Sequence, residues 1–559
     1  MIVKTRTIRW PAIEVIRYAL SRNLRGFGGV LMKKWFVFIA CLWAFQASAQ
    51  TTYPAASCSQ AAVSAAIASE QAHPVDGDII SIPSGNCSWS STMTQTFNNS
   101  VTIQGAGAVS STAGGASTTG SDLTTITLTS GGPVMHFTTV SGKTFRLTGV
   151  FFTTAVASST LVSIEGTSTA VRVDHNHFRV SNFVGLFIGG SVTGVADHDY
   201  FEAGEVLDNV IAMHNGVGWN GSTEPVGNAK GDYSWADTEH FGSSRFFFLE
   251  DSRWSATDIG DGSDATRYVI RYSTITSVSH GQMYSHGLTN SRGRGVRAVE
   301  LYQNTYSRGT NSSSGPSQSL NSGALLYWGN TSTNYRYMVN LDYTRKSNAT
   351  YGYGTTPSGW GNCDGSTVSQ VWDGAFPGNP CLDQPARGGG DRLSGDFPNV
   401  INVRTGTAAQ VLQNASPIYI WNNTYNDAGY SPEGYISIGI SALLTDNKDY
   451  FRQFNATYGE PGSFNGTAGV GQGSSLPSVA QPTCTTGANV IAAGTTWLGV
   501  SVSGNWGPGY WDTTNNTLYI CTATNTWTAY YTPYTYPHPL TQSLGAAVAA
   551  PTGLVATVQ

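Results

Sequence analysis

The chain has 559 residues, of which 65 are Gly, and a formal net charge of −5. Charged residues make up 11%, against roughly 25% in ordinary soluble domains, so the composition offers no broad basic surface to nucleic acid or to an anionic membrane. Low charge, many β-branched residues and frequent small turn residues point instead to an all-β protein of many short strands.

The first feature in chain order is a leader. Met32-Lys33-Lys34, then WFVFIACLWAF, then Ala47-Ser48-Ala49 have the basic, apolar and small-residue regions of a bacterial-type secretory signal peptide. This reading puts the true start at Met32, treats 1–49 as leader and signal peptide, and predicts a secreted or cell-surface protein. The apolar run is too short for a comfortable span, so no stable membrane insertion is expected after cleavage. Without Cys41, six cysteines remain. Sequence proximity favours the pairs Cys58–Cys87, Cys363–Cys381 and Cys484–Cys521 among the pairings that six cysteines allow. No CxxC spacing marks a zinc site.

Ser59 to Gln71 reads as a short helix with Ser59 at its N-cap. It is followed by GDIISIPSGNCSW (77–89) and SVTIQGAG (100–107), both strand-like and closed by glycine. A helix followed by GD-x-I-x-I-P-x-G and V-T-I-x-G-x-G resembles the entry to secreted right-handed parallel β-helix proteins of the pectate-lyase-like superfamily. The resemblance implies that the helix caps an end of the coil that would otherwise expose unpaired backbone. It covers about 58–430 and extends to the fold alone. VDHNHF (173–178) is similar to the DH turn of pectate lyases, but that family's arginine motif is not recognisable. The paired aspartates and GHG of polygalacturonase-type hydrolases, and the lysine–arginine pair of β-helix alginate lyases, are not recognisable either.

The pattern continues through TTITLTS (124–130), FRLTGVFF (145–152), VRVDHNHF (171–178), GVADHDYF (194–201), RFFFLEDSRW (245–254), RYVIRYSTIT (267–276) and VRAVELYQNTY (296–306). Aligned on the last large apolar residue, the coils are anchored by Phe178, Phe201, Trp254, Ile275, Tyr306 and Tyr425. Two places earlier stand Asn176, Asp199, Ser252, Ser273, Asn304 and Asn423, a predicted ladder of small polar side chains bonded to turn backbone. Insertions fall at about 205–243, at the His/Arg-rich 279–295 and at about 345–400. Residues 50–470 are thus read as the β-helix domain, 471–483 as a linker and 484–540 as an aromatic-rich β appendage. Residues 541–559 read as a linker and the start of a truncated fibronectin type III domain. The expected fold class is all-β: a right-handed parallel β-helix with a short N-terminal capping helix, inserted loops and a C-terminal β appendage.

Four places before each anchor the side chain should point outward, giving the row Asp174, Asp197, Glu250, Arg271, Tyr302 and Trp421. Two residues earlier the row reads Arg172, Val195, Phe248, Val269, Glu300 and Tyr419. Glu250, Arg271 and Tyr302 then become neighbours on one face, with Glu300 diagonal to Arg271. Such a row suits a lyase of acidic polysaccharide, which must neutralise a uronate carboxylate, take the proton beside it and protonate the leaving oxygen. Asp174, Asp197 and Glu250 are candidate ligands for Ca²⁺. Arg271 is a candidate clamp or base, with Tyr302, Glu300, His280 and His286 as further candidate catalytic groups. Arg292, Arg294, Arg297 and Trp421 are candidate substrate contacts. The bland reading of Glu250–Arg271 is an ordinary ion pair, and that of His175, His177 and His198 is turn hydrogen bonding. The leading functional expectation is a secreted polysaccharide lyase acting by β-elimination. The alternatives are a glycoside hydrolase using Glu250 and Glu300 and a non-catalytic glycan-binding protein. No organic cofactor and no nucleic-acid partner are expected, and a monomer is.

Overall fold

In the computed structural model, most of 50–542 is described. Residues 1–49, 204–208, 215–237, 278–282, 286–294, 309–315, 342–384, 389–392, 395–400, 403–415, 427–435, 439–443, 454–463, 476–483, 485–495, 502–505 and 543–559, with a few shorter gaps, lie outside that set.

The described chain is a parallel β-helix. One coil runs through Asp78–Ser81, Gly85–Trp89 and Met93–Phe97, and Val101–Gln104 then pairs beside Asp78–Ser81 to start the next. Repetition builds three parallel sheets, of 12, 10 and 10 strands. Alternation does the rest, since successive side chains point to opposite faces. In the first sheet Ile80, Ile103, Leu147, Val173, Leu249, Ile270 and Leu301 point inward and are fully buried. Stacked rings fill the second sheet's inner row, with Phe152, Phe178, Phe201 and Trp254 at centroid spacings of 5.5, 5.2 and 5.1 Å.

Helix α1 (Gln60–Gln71) closes the N-terminal end, with the Ser59 side chain accepting from the Ala62 N–H. Val63, Ala66 and Ile67 pack down on the first coil, and the Cys58–Cys87 disulfide ties the helix start to the second sheet.

The turn from first to second sheet is the same in coil after coil. A residue with positive φ (His175, His198, Asp251, Tyr272, Gln303, Asn422) is followed by the small polar ladder residue. The ladder is continuous. The backbone N–H of Asn176 donates to Asp199, Asp199 to Ser252, Ser252 to Ser273, Ser273 to Asn304, Asn304 to Asn330 and Asn330 to Asn423, at 2.8 to 3.2 Å. The Asn330 rung belongs to a coil through Ala324–Trp328 that sequence alignment on the anchors passes over, because Ser332 stands where the alignment seeks a large apolar residue.

The C-terminal β appendage is a four-stranded sheet of Val470–Gly473, Gly509–Asp512, Thr517–Ala523 and Thr526–Tyr531. Its first strand takes in residues that composition alone assigns to a linker, and the Cys484–Cys521 disulfide pins the sheet. This sheet lies along the outer face of the first sheet. Trp511, Leu518, Ile520 and Tyr531 form one buried cluster with Phe248, Tyr302, Leu326, Trp328, Tyr419 and Trp421. Burial of each such side chain contributes about 1.5–3 kcal/mol, so the contact is a permanent part of the fold.

Candidate functional site

The outer row of the first sheet pairs Asp174 with Asp197, Asp197 with Glu250, Glu250 with Arg271 and Arg271 with Tyr302. Trp328 then stands between Tyr302 and Trp421. The row divides into a covered half and an open half.

The covered half is Glu250, Arg271, Glu300 and Tyr302, all fully buried. Arg271 donates through Nε to Glu250 at 2.7 Å and through Nη1 to the Tyr302 hydroxyl at 2.8 Å. Its remaining donors meet the carbonyls of Tyr534 and Thr535 at 2.8 and 2.9 Å, so a strap at residues 530–541 sits on the guanidinium. The His538 N–H donates to Glu250 at 2.8 Å, and Glu300 accepts from the Gly242 N–H and the Tyr531 hydroxyl at 2.7 and 2.9 Å. Burial works to lower the Arg271 pKa, but the neighbouring Tyr302 and Glu250 outweigh it and hold the group protonated. Burial pushes Tyr302 far up, and pushes Glu300 up to about 7. Arg271, Glu250 and Glu300 bond to the strap, Tyr302 bonds to Arg271 and stacks on Trp328, and all four are closed to a polymer. Trp421 is likewise covered, against Trp328 and Trp511.

The open half lies beyond the strap. Arg146 grips Asp174 with two bonds of 2.6 Å, and Arg172 grips Asp197 at 2.8 and 2.9 Å. Both carboxylates are fully buried. On each, the next residue in sequence places an imidazole. His175 Nδ1 lies 2.8 Å from Asp174, and His198 Nδ1 lies 2.9 Å from Asp197. The rings stack at 5.0 Å with an interplanar angle of 1°. The His175 side chain is 47% exposed and that of His198 27%. Neither Nε2 has a partner among the described residues. The hydrogen bond to the Asp197 carboxylate raises the His198 pKa above its ordinary value.

Two walls flank these imidazoles. On one side a hairpin of Ser110–Ser111 and Thr118–Thr119 crosses the turns, its Ser111 N–H donating to the His198 carbonyl at 2.9 Å. Its tip is bound to later coils through Gly114 N–H to Asp251 at 2.7 Å and Arg253 to the Gly115 carbonyl at 2.9 Å. At Gly115 (φ 69°) a Cβ would collide with the Ser252 carbonyl and the Thr274 amide, so that close approach requires glycine. On the other side the strap's 3₁₀ turn, Pro539–Thr541, packs on Ala170–Asp174 and Gly194–Asp197.

Comparison with protein-family models, with curated proteins and with solved structures found no match. The residues therefore carry the reading by themselves.

The carboxylates considered for Ca²⁺ do not fit such an ion in this arrangement. Asp174, Asp197 and Glu250 each spend their oxygens on a guanidinium and further donors, and a cation would have to displace arginine. Among the described residues, no group of three or more His, Cys, Asp or Glu is placed to hold a metal. Arg297 is buried on Glu239 at 3.1 Å. His280, His286, Arg292, Arg294 and the Cys363–Cys381 pair lie outside the described residues. His177, read as a turn residue, stands on the second sheet's outer face instead, stacked between Phe151 and Tyr200 and bonded to Asp122 and Glu202. His175 and His198 both stand in turns and bond to the preceding aspartate, as the turn reading expects. In the sequence the pair shows as a repeated Asp-His at 174–175 and 197–198, one coil apart.

Proposed function

We propose that the protein is an exported enzyme that cleaves an acidic polysaccharide by β-elimination, acting over His175 and His198. One observation carries the reading: two parallel, accessible imidazoles, each fixed at Nδ1 by a buried carboxylate, with Nε2 left free. A carboxylate on Nδ1 sets the tautomer and orients the ring, which is what a proton-transfer imidazole needs. The bond to Asp197 raises the His198 pKa and so favours its charged form. In the reaction, His175 Nε2 takes the proton from the carbon beside the uronate carboxylate. The C–O bond to the next sugar breaks as the C=C bond forms, and the leaving oxygen takes a proton from His198, whose bond to Asp197 favours its charged form. Arg146 and Arg172 pair with Asp174 and Asp197 through Nε and Nη2, which leaves Nη1 of each as the donor to assign to the uronate. The two disulfides Cys58–Cys87 and Cys484–Cys521 suit an oxidising, extracellular setting. Among the described residues no helix is long and apolar enough to cross a membrane.

The test is a screen of uronate polymers for the ultraviolet absorbance of an unsaturated product, with reducing ends measured in parallel and EDTA in a duplicate set. Product should form with EDTA present, and His198→Ala should lose about 100-fold or more of the rate. No unsaturated product from any polymer would refute the elimination. Reducing ends alone would favour hydrolysis, and binding without cleavage a glycan-binding role.

A further inference from the structure

The row of turn residues runs His175, His198, Asp251, Tyr272, in register from coil to coil. At about 4.8 Å per coil, Tyr272 stands roughly 10 Å from His198 along the same line. There the strap returns to the turns. The Tyr536 ring lies on Tyr272 at 3.7 Å, its hydroxyl donates to Asp251 at 2.8 Å, and the Arg271 guanidinium lies 5.3 Å from its centroid. Asp251 Oδ1 also accepts the Gly114 N–H, so hairpin and strap are tied at one atom. The ring is held at its hydroxyl and along its face. It nonetheless stays 38% exposed, and among the described residues Leu123 and Tyr536 are the two exposed large hydrophobics.

We infer that Tyr536, backed by Tyr272, is a stacking subsite for the apolar face of a pyranose ring, two coils from the imidazole pair. The inference rests on the polysaccharide reading above. A fixed, half-open aromatic at the row of turns binds a sugar ring with little loss of its own freedom, because its conformation is already set. The partner chemistry is one further sugar of the same acidic chain, so short oligosaccharides that span only the imidazoles do not reach it. The C-terminal strap thereby serves two ends: it seals Arg271 and adds a binding surface at the row of turns.

The experiment compares the intact protein with its Tyr536→Ala, Tyr536→Phe and His198→Ala variants, measuring affinity for short and long uronate oligosaccharides and cleavage of the polymer. Tyr536→Ala should weaken binding of the long oligosaccharide by about 3- to 10-fold and leave the short one unchanged, with the thermal midpoint showing that the variant is folded at the assay temperature. Tyr536→Phe should bind as the parent does. Parent-like binding of the long oligosaccharide by Tyr536→Ala overturns the subsite, and so does a Tyr536→Phe as weak as Tyr536→Ala, which would point to the Asp251 contact. If His198→Ala still cleaves while Tyr536→Ala binds weakly, the catalytic reading falls and the subsite stands. Absence of binding to any oligosaccharide overturns both.

Discussion

Asp199 should be a weak point of the ladder, and Asp199→Asn should stabilise the protein. The other rungs show why. Asn176 donates its Nδ2 to the Leu147 carbonyl of the preceding coil at 3.1 Å, and Asn304, Asn330 and Asn423 do the same to Ile270, Leu301 and Tyr327, at 2.8, 2.9 and 3.1 Å. By that register Asp199 faces the Val173 carbonyl, an acceptor. Its Oδ1 accepts from Asn176, but Oδ2 is buried with no partner among the described residues. Burial, reinforced by the nearby Asp197 and Asp174, pushes its pKa well above the ordinary carboxylate range. An acid raised in the folded state contributes most below its unfolded pKa and loses that contribution as pH rises toward the folded one. The amide introduced by Asp199→Asn would supply the missing donor without a proton. Relieving one buried unsatisfied group amounts to about 1–3 kcal/mol. Urea unfolding across pH 4 to 8 should show the variant ahead by about that amount at neutral pH, with the lead growing as pH rises. A variant less stable than the parent, or a lead independent of pH, would refute the reasoning.

Two further outcomes follow from the strap. Arg271→Met leaves the Glu250 carboxylate without its counter-charge and removes the donor to two strap carbonyls, so it should cost about 3–5 kcal/mol. It should also speed hydrogen exchange at 530–541, and Glu250→Gln in the same chain should recover part of the loss. Glu300, raised to about 7 by burial, contributes stability that is present below about pH 4.5 and lost as pH rises through 7. Glu300→Gln should therefore remove about 3 kcal/mol of pH dependence from unfolding over that range, and an unchanged profile would show that Glu300 is not the titrating group.

Local rules decide what the residue order makes visible. Coil register was legible because a period of two fixes which side chains face in, and because each ladder residue bonds to its immediate neighbour along the stack. The same rules placed Glu250, Arg271 and Tyr302 side by side and favoured the near cysteine pairs Cys58–Cys87 and Cys484–Cys521. They could not say which part of the outer row is open. That depends on Tyr534 and Thr535, which meet Arg271 across 263 and 264 residues. One trace of the cover was present in the sequence. FFFL, ALLYW and IYIW are apolar on both alternating faces, the mark of strands buried on both sides. Arg146, Arg172, His175 and His198 precede those runs, on coils whose outer side chains are charged. The sequence by itself determined the coils, their ladder and the line on which the charged groups stand. Tertiary structure alone decided that the appendage would seal the Glu250–Arg271–Tyr302 half of that line and leave His175 and His198 in the open, because burying its aromatics was favourable only where the outer face had turned apolar.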